Sequence, residues 1–227
     1  MDTSALLNQI LKTGRDLATK GQDLAEKKLG VPGSGATRDA MLSGMGKGVA
    51  AAGLLAILLG TKGGRRLTGS AIKLGSLAAI GGLAYKAYQD WQAKQKMVGG
   101  TGQRVDQLTG PSAEQRGRAL LRALIAAAKA DGHIDEKEQA TIDNQIQKLN
   151  LDTETLHFIK DEVDRPLDAR EIAAGADSPE AAAEIYLTSL AVIDVADEKE
   201  RAYLNELAAH LKLASDLVAE LEKQAKT

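Results

Sequence analysis

Apolar and polar positions alternate along this chain with the period of a helix rather than of a strand. Leu6, Ile10, Leu17 and Leu24 share one helical face, with lysines at 12, 20, 27 and 28 elsewhere. That pattern predicts an amphipathic helix over residues 3–29, ended by Val31-Pro-Gly-Ser-Gly35. The next region is apolar and glycine-rich. Uncharged runs cover 48–61 and 74–85, with Lys47 and Lys73 near one end of each segment. After a Gly/Thr-rich stretch, 97–111, the helical period returns and persists to the C-terminus. Helices are predicted at roughly 113–131, 136–149, 153–164, 168–174, 179–194, 198–212 and 215–226. Start signals are Ser112 with Gln115 and Ser178 before Pro179. The expected fold class is all-α. Its expected divisions are 1–39 (helix and linker), 40–96 (hairpin), 97–111 (linker) and 112–227 (bundle).

The C-terminal half contains an internal duplication. Asp-Glu-Lys-Glu occurs at 135–138 and again at 197–200, each time after an apolar run that closes in an aspartate. Before the turn the copies are offset by 63 residues, pairing Leu124 with Leu187, Ala128 with Ala191 and Asp131 with Asp194. After it the offset is 62, pairing Asp135 with Asp197, Glu138 with Glu200 and Leu149 with Leu211. A single gap in a loop, with caps and core positions in register, indicates two pseudo-symmetric helical repeats. Leu120, Leu121, Leu124, Ile125 and Ala128 form the apolar face of the first copy. Ile185, Leu187, Leu190, Ala191 and Ile193 form that of the second, and the two faces are expected to pack together.

Composition sharpens this division. The 227 residues contain no cysteine, which excludes disulfides and thiolate metal sites. Aromatics are 3%, so a core must be built from aliphatic side chains. The net charge of −2 conceals two opposed halves. Residues 1–111 carry 15 Lys/Arg and 7 Asp/Glu, whereas 112–227 carry 14 and 24. The first 28 residues show no h-region of a cleavable signal peptide.

Two readings exist for residues 40–96. Glycine costs about 1 kcal/mol relative to alanine within a soluble helix, yet permits close helix contact in lipid. Lys47 and Lys73 could snorkel to headgroups. Tyr85, Tyr88 and Trp91 lie along one helical face, as an interfacial belt would require. A helical hairpin in or on a membrane is therefore expected, against a glycine-rich pair buried on a protein partner. Basic residues flank both sides, so orientation is not fixed by charge.

The chemistry lies in the acidic turns. Asp135 with Glu138, and Asp197 with Glu200, have capping-box spacing, as does Asp168 with Glu171. Asp131 and Asp194 each close a helix, where negative charge is disfavoured. Asp131, Asp135, Glu138, Asp194, Asp197 and Glu200 are thus candidate ligands for calcium or magnesium, hard cations that take oxygen donors. Caps and solvated charge explain the same residues without a cation. Residues 131–138 match the second half of an EF-hand loop, but Ala127 and Lys129 stand where its first ligands belong.

Residues 121–138, with the core Ala-Asp-Gly-His-Ile-Asp-Glu-Lys-Glu, resemble the signature of TerB-like domains, named for a tellurite-resistance protein. Together with the glycine-rich region, the chain resembles YebE-type bacterial inner-membrane proteins. The resemblance implies an all-helical domain of two halves, divalent-metal binding at the six acidic positions, membrane tethering and a link to stress or tellurite response. The second copy lacks the counterpart of Gly132.

No enzyme motif is present: no Walker loop, no His-Glu-x-x-His and no dinucleotide fingerprint. The lysines of the basic half interleave with glycine and apolar residues, which does not favour nucleic acid. The expected function is a non-enzymatic, membrane-tethered interaction or sensing module. Its expected partners are lipid and either another protein or a second copy. The alternative is a membrane scaffold oligomerising through the glycine-rich hairpin, with the acidic domain as a cap that binds no metal.

Overall fold

A computed structural model describes residues 3, 6–8, 76–96, 102–130, 153–193 and 195–226. Seven α-helices and one 3-10 turn make up these residues, and no strand occurs among them. The helices are α1 (Leu77–Gln95), α2 (Gly110–Ala128), α3 (Thr153–Asp164), α4 (Ala169–Ala173), α5 (Pro179–Leu190), α6 (Glu198–His210) and α7 (Ser215–Lys226). The turn, Val105–Gln107, lies in the strap of residues 102–109 that joins α1 to α2.

The centre of the bundle is α5. Every residue from Glu180 to Leu190 is buried, because α1, α2, α6 and α7 all pack on it. A helix covered on all sides needs no polar stripe, which fits its run of Ala, Ile, Tyr and Leu. α2 supplies Leu120, Leu121 and Leu124 to the same core, so the two apolar faces expected to meet do so. α3 and α4 pack on the other side of α2, and α6 also lies on α4.

The duplication is visible in the element bounds. α3 runs from 153 to 164 and α7 from 215 to 226, each bound shifted by 62. Ile159 and Leu221, which that shift pairs, are both fully buried. The second helix expected in the first copy, 136–149, lies outside the described residues.

Local signals acted as their chemistry requires. Asp168 accepts from the Arg170 and Glu171 amides at 2.8 and 3.2 Å, and Ser178 Oγ from Ala181 at 3.1 Å. The Ser112 box is not the start of α2, whose N-cap is Thr109, three residues earlier. Proline is tolerated in the first turn of a helix because that N–H has no intrahelical acceptor. Gly110 enters at φ +62, a conformation that side-chain-bearing residues resist.

α1 behaves differently from the membrane hairpin segment expected over the same residues. Ile80, Ala84, Ala87 and Tyr88 form a buried stripe, and α5 and α7 cover it. The rim is polar: Lys86 Nζ donates to Gln224 at 3.2 Å, Lys94 Nζ to Glu220 at 2.8 Å, and Gln95 to Asp216 at 2.6 Å. Among the described residues no helix is long and apolar enough to cross a membrane. The run 48–61 lies outside the described residues. At the other end of the chain, Leu6 and Leu7 are buried, and the Thr3 amide donates to Glu114 at 3.2 Å.

Candidate functional site

Asp131, Asp135, Glu138 and Asp194 lie outside the described residues, as do Lys47 and Lys73. Of the acidic set, Asp197 and Glu200 are described. Asp197 is the N-cap of α6: its Oδ1 accepts from the Lys199 and Glu200 amides at 3.0 and 3.3 Å. Glu200 is buried at the base of α6. Any cation at this turn would share Asp197 with two backbone donors already using one oxygen. Among the described residues no group of three or more acidic or histidine side chains is arranged to hold a metal ion.

Tyr85, Tyr88 and Trp91, expected at a membrane interface, have protein neighbours here. Tyr88 is buried, its ring centroid is 5.7 Å from that of Trp91, and Trp91 packs on the core. Tyr85 is half-buried, with the Arg104 guanidinium 5.8 Å from its ring centroid. Periodicity placed the three on one face correctly; it carries no information about what covers that face.

The densest polar chemistry lies where α5, α2 and the strap meet, and charge patterning gave no warning of it. Arg116 of α2 is 3% exposed in its side chain and Glu184 of α5 is 1% exposed; Nη1 donates to Oε2 at 2.6 Å. Glu184 Oε1 accepts from the Val105 amide of the strap at 2.8 Å. Arg116 Nη2 also reaches Asp177 and, at 3.4 Å, Ser178 Oγ. Burial pushes the Glu184 carboxyl up, against the opposing pull of the Val105 N–H and Arg116. One turn earlier, Glu180 is 2% exposed, and neither of its carboxylate oxygens has a hydrogen-bond partner. Those oxygens lie over Gly102: a Cβ there would fall 1.9 Å from Oε2. A side chain at this position would have to displace the Glu180 carboxylate. A signal was available in hindsight, since Glu180 and Glu184 interrupt an otherwise apolar helix at i, i+4.

A second polar cluster serves the fold. Lys129, just past α2, donates from Nζ to the carbonyls of Glu162 at 3.1 Å, Val163 at 2.7 Å and Arg165, closing the C-terminus of α3. Burial lowers its pKa, although Glu162 pulls the other way. Arg122 pairs with Glu162 at 2.7 Å beside it.

The described helices define an all-helical bundle protein. The chain belongs to the DUF533 family, described as a protein of unknown function, whose family model matches residues 44–225. That match runs through the glycine-rich region and α1 as well as the acidic bundle. A relative from Yersinia enterocolitica, "Uncharacterized protein in ampR 5'region", is 36% identical over 104 residues, covering 46% of this chain and 75% of the relative. No solved structure matches the chain.

Proposed function

We propose that this protein is a non-enzymatic interaction or sensing module of the bacterial inner membrane. In this reading its glycine-rich apolar half associates with lipid, and its acidic bundle engages a protein partner or a second copy. The observation that carries the reading is α1. It forms the last part of the glycine-rich region, 40–96, and is packed against α5 and α7. A lipid-associated segment upstream would therefore be joined to the acidic bundle through a rigid helix rather than a loose tether. The basic flanks of residues 40–75 favour anionic headgroups. A role in stress or tellurite response, which the resemblance to TerB-like domains implies, belongs to the same proposal.

Membrane fractionation of the full chain against a chain lacking residues 44–75 tests it. The full chain is expected in the pellet and to require detergent for release, and the shortened chain in the supernatant. Full-length protein found in the supernatant without detergent would end the membrane reading.

The proposed divalent cation is calcium or magnesium at the acidic turns. It is tested by calorimetric titration of the full chain, and absence of heat with both ions would remove it. The capping geometry of Asp197 supports the second reading, a membrane scaffold whose acidic bundle is a cap that binds no metal. Crosslinking in membranes with and without residues 44–75 distinguishes the two, since the scaffold requires oligomers that vanish with that segment.

A further inference from the structure

The chain between residues 8 and 76 leaves the bundle and comes back to it. Its near end is fixed by the N-terminal segment. Leu7 is fully buried and Leu6 nearly so, both within the apolar core that holds Leu120 and Leu124. Thr3, also fully buried, donates to Glu114 of α2 from its amide at 3.2 Å and again from Oγ1. The far end is fixed by α1. Ser76 caps that helix, accepting from the Ala79 amide at 3.1 Å. Ile80 and Ala84 are buried, α5 and α7 cover the helix, and Lys94 is tied to Glu220 at 2.8 Å. Both ends are attached to one folded body, and a bilayer cannot come between them.

A chain whose two ends lie on one side of a bilayer crosses it an even number of times or not at all. One pass through the hydrocarbon takes about 20 apolar residues, so a pass and a return take about 40. Between residues 9 and 75 the longest uncharged run is 48–61, 14 residues. Even as a continuous helix it would reach about 21 Å, against a hydrocarbon thickness of about 30 Å. The run 74–85 is the natural returning limb, but its Ile80 and Ala84 are committed to the bundle core. Charge agrees. Arg38 and Lys47 precede 48–61, and Lys62, Arg65 and Arg66 follow it. A crossing segment gathers its basic residues at one end, whereas one that enters and leaves through a single headgroup layer meets anionic lipid at both. We propose that this chain is monotopic. The bundle, its N-terminal segment and both flanks of 48–61 lie on one side of the bilayer, and the lipid contact reaches no further than the near leaflet. The proposal rests on the membrane reading and gives it a one-sided partner, an anionic headgroup layer with the acyl chains just beneath it.

The chain has no cysteine, so single cysteines report sidedness. Ser34→Cys lies before the run, Thr68→Cys after it, and Gln103→Cys at an exposed position of the strap. Each is made in the full-length chain in bacterial cells. Spheroplasts are treated with a membrane-impermeant maleimide before and after lysis, and label is scored in the membrane pellet. The three sites are expected to behave as one, all labelled in intact spheroplasts or all only after lysis. Opposite behaviour of Ser34→Cys and Thr68→Cys would mean that the run crosses, which overturns the proposal and leaves the membrane reading standing. Opposite behaviour of Gln103→Cys against both flanks overturns it in the same way. Full-length protein missing from the pellet removes the membrane reading and the proposal with it.

Discussion

Two faces hold α1 and the strap to the rest of the molecule, and their carboxylates respond to pH in opposite senses. On the α1–α7 face Glu220 is buried but has cationic company. Its hydrogen bond from Lys94 is the main reason its carboxyl is held down at about 2. That folded value lies below the unfolded one. The stabilisation is therefore full above the ordinary carboxylate range and disappears as pH falls toward about 2. At the strap–α5 junction Glu184 has a cation too, yet burial prevails and its carboxyl is raised. Its stabilisation is lost on the alkaline side instead. Lys94 reaches Glu220 from a side chain 64% exposed, whereas Arg116 and Glu184 are both removed from water. A pair at the rim keeps part of its hydration, whereas a pair in the interior gives it up.

The largest way to break this contrast is Arg116→Met. It leaves Glu184 buried without its cation, and urea unfolding is expected to show a loss of about 3–5 kcal/mol. Adding Glu184→Leu should restore most of it; a double variant as unstable as the single would remove the pair from the account. Ile80→Ala deletes a fully buried side chain from α1 and is expected to cost about 2–5 kcal/mol. Fluorescence of the single tryptophan, Trp91 on α1, and far-UV circular dichroism of the whole bundle should shift together. If only the fluorescence moves, α1 is an appendage. Gly102→Ala forces a methyl onto Glu180, and about 1–3 kcal/mol of destabilisation is expected in thermal unfolding, with the acid limb of stability unchanged.

Asp197→Ala touches neither face. It should lower the melting midpoint through loss of an N-cap worth about 1 kcal/mol, while Asp197→Asn, which still caps, should not. The smallest effect is expected from Lys94→Met. With its main partner gone, Glu220 titrates nearer the ordinary range, and the fall of stability on acidification becomes shallower. An unchanged acid limb would mean that Lys94 does not set the behaviour of Glu220.

Much of the bundle was readable because helices announce themselves locally. Asp168, Ser178 and Asp197 cap the helices that their spacing predicted. The bounds of α3 and α7 fall where the residue pattern put them. The Ser112 signal misled, because a cap is one of several ways to start a helix and Pro111 supplied another. The stretch read as linker is, in its described part, pinned by Val105, a buried residue whose amide meets Glu184. A single buried valine among glycines and polar residues leaves no periodic trace. Of the candidate acidic site, Asp197 was legible as a cap, and the polar junction left only the i, i+4 pair Glu180 and Glu184 as its trace in the sequence.

The order of hydrophobic and polar residues by itself determined an all-helical chain, its duplication, its capping points and which residues share a face. Those properties depend on neighbours within one or two turns, which the sequence lists directly. Tertiary structure alone decided what each face meets. It covered the α1 stripe with α5 and α7, laid the strap over Glu180 through Gly102, and set Arg116 against a glutamate 68 positions away. Burial and desolvation arise from surfaces brought together across the chain, and no short window of residues contains them.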